Sequence, residues 1–363
     1  MLLDSGLLGD KERCGYYNRR LENRFAELLQ VNHAISFNSG TAALHTALVA
    51  IGVGVGDEVI VDPLFKYSTA ATMYTGAAPV YADLKASGYL IDPASVETLI
   101  TKKTKAIVAT ASFGLSVDVV RLRKMADDYG LFLVEDCAQA LLARVGDQFA
   151  GTIGHFGVFS FQSSKHINAG EGGMLITNES ALLERVYATK EHGWLINKQS
   201  TNEPLGYMYR MPEAVAIIAE NKLRFATQIV SFHQRVAGLF EAIADEALWL
   251  YPQKEGKNSV HVYNRWAARV ADEKYFEQLA IALQETENGF EMGFCKKGLI
   301  YDRFMTRHLN TGPKEVLCPV AEKVKGLIVH QIISIDKSFK YYEKQADIFR
   351  EAVRSVNRKL EVS

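Results

Sequence analysis

Cysteine is scarce in this chain of 363 residues: only Cys14, Cys137, Cys295 and Cys318. They are few and widely scattered and match no zinc-binding spacing, which excludes a small cross-linked scaffold and a zinc module. No apolar run approaches the ~18 residues that a membrane span needs. The opening stretch, Met1 to Arg13, carries Asp4 and has no basic residue ahead of its apolar ones, so it makes a poor secretory signal. Charge of one sign is missing too. Lys+Arg 41 against Asp+Glu 42 leaves a net charge of −1. That balance speaks against a nucleic-acid binder working by broad attraction, and it gives no reason to expect an anionic membrane as partner. No internal repeat or low-complexity linker interrupts the chain. With 48% hydrophobic and 23% charged residues, a cytoplasmic globular protein of enzyme size, holding no metal, is the expectation.

What is present is alternation. Glu58–Asp62, Pro79–Ala82, Ala106–Ala109, Phe132–Glu135, Phe156–Phe161 and Met174–Thr177 read as strands. Ala42–Ile51, Ser68–Thr75, Pro93–Ile100, Val117–Tyr129 and Ser180–His192 read as helices. Strand–helix alternation over short connections predicts an α/β fold with a mostly parallel central sheet flanked by helices. The texture changes after Gly206. Pro212 to Asp245 is mostly helical, Val260–Val270 alternates like a strand, and Phe276–Glu285 and Lys340–Leu360 are helical; Gly289–Thr311 reads as loop. A boundary near residue 235 divides the chain into a large domain, 1–235, with an N-terminal helix and the central sheet, and a smaller α+β domain, 236–363.

Four segments carry candidate chemistry. Asn38-Ser-Gly-Thr-Ala-Ala-Leu44 is a small-residue turn leading straight into an apolar helix. Free backbone N–H groups at such a start suit a phosphate, although by itself it is also an ordinary capped helix. Gly52-Val-Gly-Val-Gly-Asp57 has the look of a dinucleotide fingerprint but follows a helix and precedes a strand, so it reads as a helix-ending turn. Glu135 and Asp136 close an apolar strand, where open α/β sheets place ligand-binding carboxylates; an Asp there also suits a helix N-cap. Lys165 follows a strand and precedes Gly170-Glu-Gly-Gly173. A lysine among small and apolar residues loses its proton more readily than one in water and becomes a nucleophile. Together, a phosphate-type helix start, a strand-end acid and a lysine are what a pyridoxal phosphate (PLP) site needs.

On these motifs the chain resembles the DegT/StrS-type sugar aminotransferases. The blocks are N-S-G-T-A-A-L at Asn38–Leu44, G-D-E-V-I-V at Gly56–Val61, G-A-x-P-V at Gly76–Val80, E-D-x-A-Q-A at Glu135–Ala140, F-S-F-x-x-x-K at Phe159–Lys165, G-E-G-G at Gly170–Gly173 and Y-R-M-x-E at Tyr209–Glu213. The resemblance implies PLP-dependent transferase fold type I. It implies Lys165 as the Schiff-base lysine, Asp136 on the pyridine nitrogen, Gly40, Thr41 and Ser160 on the phosphate, Ala42 as a further cofactor-binding residue, Gln139 near the cofactor's phenolic oxygen, and Phe65 stacked on the ring. It further implies amino transfer from glutamate or glutamine to a nucleotide-linked keto sugar, or alternatively to a cyclitol or other non-nucleotide ketone, in a homodimer with shared active sites. Two positions depart from the family. Met208 stands where an Asn usually reaches the other subunit's cofactor phosphate, and Ala111 stands where the family usually has His. A sugar dehydratase of the same fold would carry His in place of Lys165, and a non-catalytic member would need neither Lys165 nor Asp136.

Overall fold

The computed structural model describes residues 15–193, 205–254, 256, 258–284, 289–293, 299–301 and 318–361. Cys14, Cys295 and most of the Gly289–Thr311 stretch lie outside them. Cys137 and Cys318 are both buried and free.

Seven strands make the main sheet: β1 His33–Phe37, β2 Glu58–Val61, β3 Ala78–Tyr81, β4 Thr104–Thr110, β5 Phe132–Asp136, β6 Phe156–Ser160 and β7 Gly173–Thr177. Their order is β1-β7-β6-β5-β4-β2-β3. Only β7 opposes its neighbours; the other pairs are parallel. The strands read as nearly unbroken apolar runs because helices cover both faces. On one face Ile60, Ile107 and Leu133 pack with Leu122 and Met125 of the helix Val119–Tyr129. On the other, Val59, Val61, Val108 and Val134 pack with Ala43, Ala47 and Leu48. Strand β1 is invisible to the apolar pattern because polar Ser36 lies inside it. Glu22 makes that serine compatible with burial, accepting from its N–H and Oγ, both at 2.7 Å.

In chain order the main helices are α1 Tyr16–Leu29, α2 Gly40–Ala50, α3 Lys66–Tyr74, α4 Val119–Tyr129, α5 Leu183–Lys190, α6 Glu213–Leu223 and α7 Ala226–Ala244. Helix α2 is buried from Ala42 to Leu48, a core helix with almost no polar face. The segment read as one helix over Ser180–His192 is a short 3₁₀ turn, Ser180–Leu182, followed by α5.

A second, antiparallel sheet contains β8 Leu250–Pro252, β9 Arg265–Val270, β10 Phe290–Met292 and β11 Ile328–Ile332, in the order β8-β9-β11-β10. Helices α8 Glu273–Gln284 and α9 Phe339–Glu361 pack with it. Two expectations are corrected here. Val260–Val270 is two strands: Ser259–Val260 pairs with Arg144–Val145, and β9 starts only after Tyr263, whose φ of 48° turns the chain. Phe290–Met292 is a strand rather than loop, its three residues paired with β11. Within α7, Ile229 and Val230 pack with α1 and β7, whereas Val236 and Phe240 pack with Trp266 and Phe349.

Helix α1 has Gly15 at its N-cap and no capping side chain of its own. Glu213, the acid of Y-R-M-x-E, substitutes from the start of α6. Its carboxylate accepts from the N–H of Tyr17 at 2.8 Å, the N–H of Asn18 at 3.3 Å and the amide Nδ2 of Asn18 at 2.5 Å. A Cβ at Gly15 would land 1.8 Å from Glu213 Oε1, so any other residue there would have to displace the carboxylate from these donors. Glu213→Ala strands these buried donors and should cost about 2–3 kcal/mol in urea unfolding. Glu213→Gln, which keeps one acceptor oxygen, should fall between the two.

Candidate active site

Parallel pairing of β2, β4, β5 and β6, and two antiparallel pairings through β7 for β1, put the carboxyl ends of these five strands on one sheet edge, where open α/β sheets bind ligands. Asp62 follows β2, Thr110 ends β4, Asp136 ends β5 and Ser160 ends β6. Helix α2 starts three residues after β1. Asp136 stands opposite Thr110 on one side and Val158 on the other.

Neighbouring acids on β5 face opposite ways, as strand geometry demands. Glu135 holds the following turn, accepting from the N–H groups of Gly151 at 2.7 Å, Ile153 at 2.8 Å and Gly154 at 2.5 Å. Asp136 is buried and accepts a hydrogen bond from Ala138 N–H at 3.1 Å. Burial pushes its pKa up to about 6, opposed by that hydrogen bond and by the charge of Lys165. Burial lowers Lys165 to about 8; Asp136 pulls it up and Arg265 pushes it down. Acid and lysine therefore share one desolvated environment. Lys165 and Ser160 line a narrow cavity of about 10 Å³ with Cys137 and Ala138. His166 points its chemistry elsewhere: Nε2 donates to the Val262 carbonyl at 3.0 Å, and its ring lies 4.6 Å from that of His233.

The start of α2 meets the same edge. Ser39 Oγ caps it, accepting from Ala42 N–H at 3.1 Å. Gly40 leaves little room for a side chain, since a Cβ there would lie 3.0 Å from Ser160 Cβ and 3.3 Å from the Phe159 carbonyl. Thr41 and Ala42 line a second cavity, of about 330 Å³, with Asn38, His45, Tyr74 and Tyr209. Gln139 is buried, and its Oε1 accepts from Phe113 N–H at 2.8 Å. Phe65 is 6% exposed and packs edge-on against Phe113, with ring centroids 5.8 Å apart, in the main core cluster. Ala111 is buried and donates its N–H to the Asp136 carbonyl at 2.9 Å. Met208 has an exposed side chain, while its carbonyl accepts from Asn38 Nδ2 at 3.3 Å.

Sequence reasoning missed Asp62 and Arg265. Asp62 ends a strand in the same way as Asp136, and that was its available signal. It accepts from the N–H groups of Leu64 and Phe65, both at 2.9 Å, and from Thr110 Oγ1 at 2.6 Å. Asn264 Nδ2 donates to the Ser164 carbonyl at 2.8 Å, tying the second sheet to the lysine loop. No cluster of three metal-ligating side chains exists among the described residues. No described helix is long and apolar enough to cross a membrane.

A chemical test supports a PLP-type group here. A glycine-seated helix start offers N–H donors, a buried carboxylate of raised pKa suits a cationic ring nitrogen, and a lysine of lowered pKa suits an aldehyde. Sheet order, site edge and structural neighbours define the class: this is fold type I of the PLP-dependent aminotransferases. The chain belongs to the DegT/DnrJ/EryC1/StrS aminotransferase family, whose model matches residues 4–334. It is 35% identical over 262 residues to GDP-perosamine synthase of Escherichia coli O157:H7, covering 72% of this chain and 71% of that one. It is 34% identical over 277 residues to the Vibrio cholerae GDP-perosamine synthase, covering 76% and 74%. Among solved structures, S. venezuelae DesV in complex with a ketimine intermediate superposes with a TM-score of 0.83 at 26% identity, covering 97% and 92%. 3-Amino-5-hydroxybenzoic acid synthase gives 0.85 at 24%, covering 97% and 94%, a likeness of fold.

The lysine–aspartate coupling predicts a reactivity pattern. With no small molecule bound, an amine-specific reagent should label Lys165 with a pH midpoint near 8, whereas ordinary lysines titrate near ~10.4. Asp136→Asn removes the charge that holds the proton on Nζ, so the midpoint should move lower. Peptide mass mapping across a pH series reads both.

Proposed function

We propose that this chain moves an amino group from glutamate or glutamine to a keto sugar carried on a nucleotide, using PLP held at Lys165, and that it acts as a cytoplasmic homodimer. The observation that carries the reading is that Asp136 ends β5, and Lys165, whose charge acts on it, follows β6, at the sheet edge where α2 begins. The two perosamine synthases named above point to sugar chemistry. A relative from Acidithiobacillus ferrooxidans is named for 3-amination of a UDP-linked dehydro sugar, and one from Micromonospora echinospora for glutamine as donor to an inosose.

PLP, when bound, supplies the electron sink and carries the amino group. The chain's own residues supply the rest. Lys165 Nζ, its pKa lowered to about 8 by burial, would hold the aldehyde and would take the proton from the donor Cα as a positioned base. Asp136 would favour a proton on the ring nitrogen through its opposite charge. The N–H groups at Gly40 and Thr41, with the Ser160 hydroxyl, would hold the phosphate, while the Ala42 N–H is taken by the Ser39 Oγ cap. Gln139, with Oε1 committed to Phe113, offers its Nε2 to the phenolic oxygen. His166 is bound to Val262 and packs tilted against His233, so it does not replace Lys165 in the manner of a dehydratase. The exposed Tyr74 and Met208, beside the cavity at the start of α2, support a subunit boundary there.

Purified protein should be yellow, and borohydride should fix the cofactor on Lys165; an adduct on another lysine, or none, would falsify the reading. Asp136→Asn should lose at least ~10²-fold in turnover, the scale of an electrostatic contact made at the reacting charge. Light scattering at assay concentration should give a dimer. Met208→Asn should tighten cofactor binding about ten- to a hundredfold, one hydrogen bond to a charged phosphate, measured by titrating cofactor into apo-protein.

A further inference from the structure

The second sheet brings one cation towards Lys165. Asn264 is tied to Ser164, the residue before the lysine, and Arg265 follows it at the start of β9. Trp266 is fully buried in the small-sheet core. Strand alternation therefore turns Arg265 and Ala267 to the opposite face, where Ala267 joins the main-sheet core cluster. Arg265 is only 20% exposed, and its charge acts on Lys165.

Among the described residues its polar surroundings are incomplete. Nη1 lies 3.3 Å from His330 Nδ1, an imidazole that burial and the guanidinium keep neutral, with its pKa down to about 3. Among the described residues its ion-pair partner is Glu291, 3.7 Å away and 58% exposed, beyond a good charge-assisted hydrogen bond. A guanidinium offers five donors in a planar fork that matches a carboxylate. Desolvating it without such a partner is costly. An incoming carboxylate has both a vacancy in hydrogen bonding and a weakly held competitor to displace.

We propose that Arg265 binds a carboxylate of the amino-acid donor and so sets donor specificity at Lys165, with Glu291 as the group that the donor displaces. This rests on the reading of Lys165 given above. Arg265 is a recognition residue for the substrate rather than a proton carrier. Its place on the second sheet makes donor binding depend on the packing of the two sheets.

The test uses holoprotein and two unreactive probes: glutarate, which has the donor's carboxylates, and D-glucuronate, a sugar acid. Calorimetry should show glutarate binding to the wild type and weakening about ten- to a hundredfold in Arg265→Gln, the loss of a charge-assisted pair. Arg265→Lys, which keeps the charge without the fork, should recover part of the loss. Glu291→Gln should tighten glutarate about two- to fivefold, the weight of an exposed competing charge. KM for L-glutamate should follow the same order. Borohydride trapping on Lys165, run in parallel, separates the two readings. If the adduct is absent in the wild type, the cofactor assignment fails. If it is present and glutarate affinity is equal in wild type and Arg265→Gln, the Arg265 proposal is overturned. Arg265-dependent binding of glucuronate with glutarate unaffected would overturn the donor assignment.

Discussion

Two buried carboxylates, Asp62 and Asp136, end strands on either side of β4, with Thr110 between them. Thr110 bonds to Asp62 through its hydroxyl and stands opposite Asp136 in the sheet. Burial raises the pKa of both, and the charge of Asp62 raises that of Asp136 further. Two such groups cannot both be ionised cheaply without donors. Asp62 has three, and with them it fixes the start of α3 through the N–H groups of Leu64 and Phe65. Asp136 has one backbone donor in its own turn. The difference assigns their roles: Asp62 is spent on structure, while Asp136 keeps acceptor capacity for a cation brought to the sheet edge.

The same edge depends on a close approach that only small residues permit. Gly173 opens β7 directly beneath the start of α2; a Cβ there would lie 2.5 Å from Gly40 N. Gly40 in turn is pressed against Ser160 at the end of β6. The reversed strand β7 is thus what lets α2 sit low enough for its first N–H groups to reach the line of strand ends. Glycines in separate motifs, thirty-eighth to forty-fourth residue and one hundred and seventieth onward, therefore serve one contact.

Most of this layer was legible because each strand end carries its own local signature. An apolar run of four to seven residues closed by Asp, Ser or a small-residue turn marks where strand stops and chemistry starts, as at Asp136 and Ser160. Strand β1 broke the apolar pattern with Ser36, a residue made compatible with burial by Glu22, fourteen positions earlier. That partnership is tertiary and leaves no periodic trace. The Val260–Val270 segment looked like one strand because its alternation continues through Tyr263, where the backbone turns. Arg265 was illegible for a related reason. In sequence it is one charge in an alternating run; its importance comes from the face to which β9 turns it and from the loop that Asn264 clamps.

The loop carrying Lys165 is braced by groups that add little charge. His166 and His233 lie ring to ring, and His261 lies over Tyr263 with centroids 3.7 Å apart. Burial drives all three imidazoles to low pKa: His166 well below the usual value, His233 to about 4 and His261 to about 3. At neutral pH they act as hydrogen-bonding spacers, through the carbonyls of Val262 and Tyr263 for the first two and through Gln253 for the third. The consequence is electrostatic economy around the amine. After desolvation, the charges that act on Lys165 are Asp136, which raises its pKa, and Arg265, which lowers it. An anion arriving at Arg265 would weaken the second influence and leave Asp136 the stronger voice. Filling the guanidinium would then shift Lys165 towards its protonated form, so occupancy on the second sheet and proton affinity on the first are coupled through charge alone.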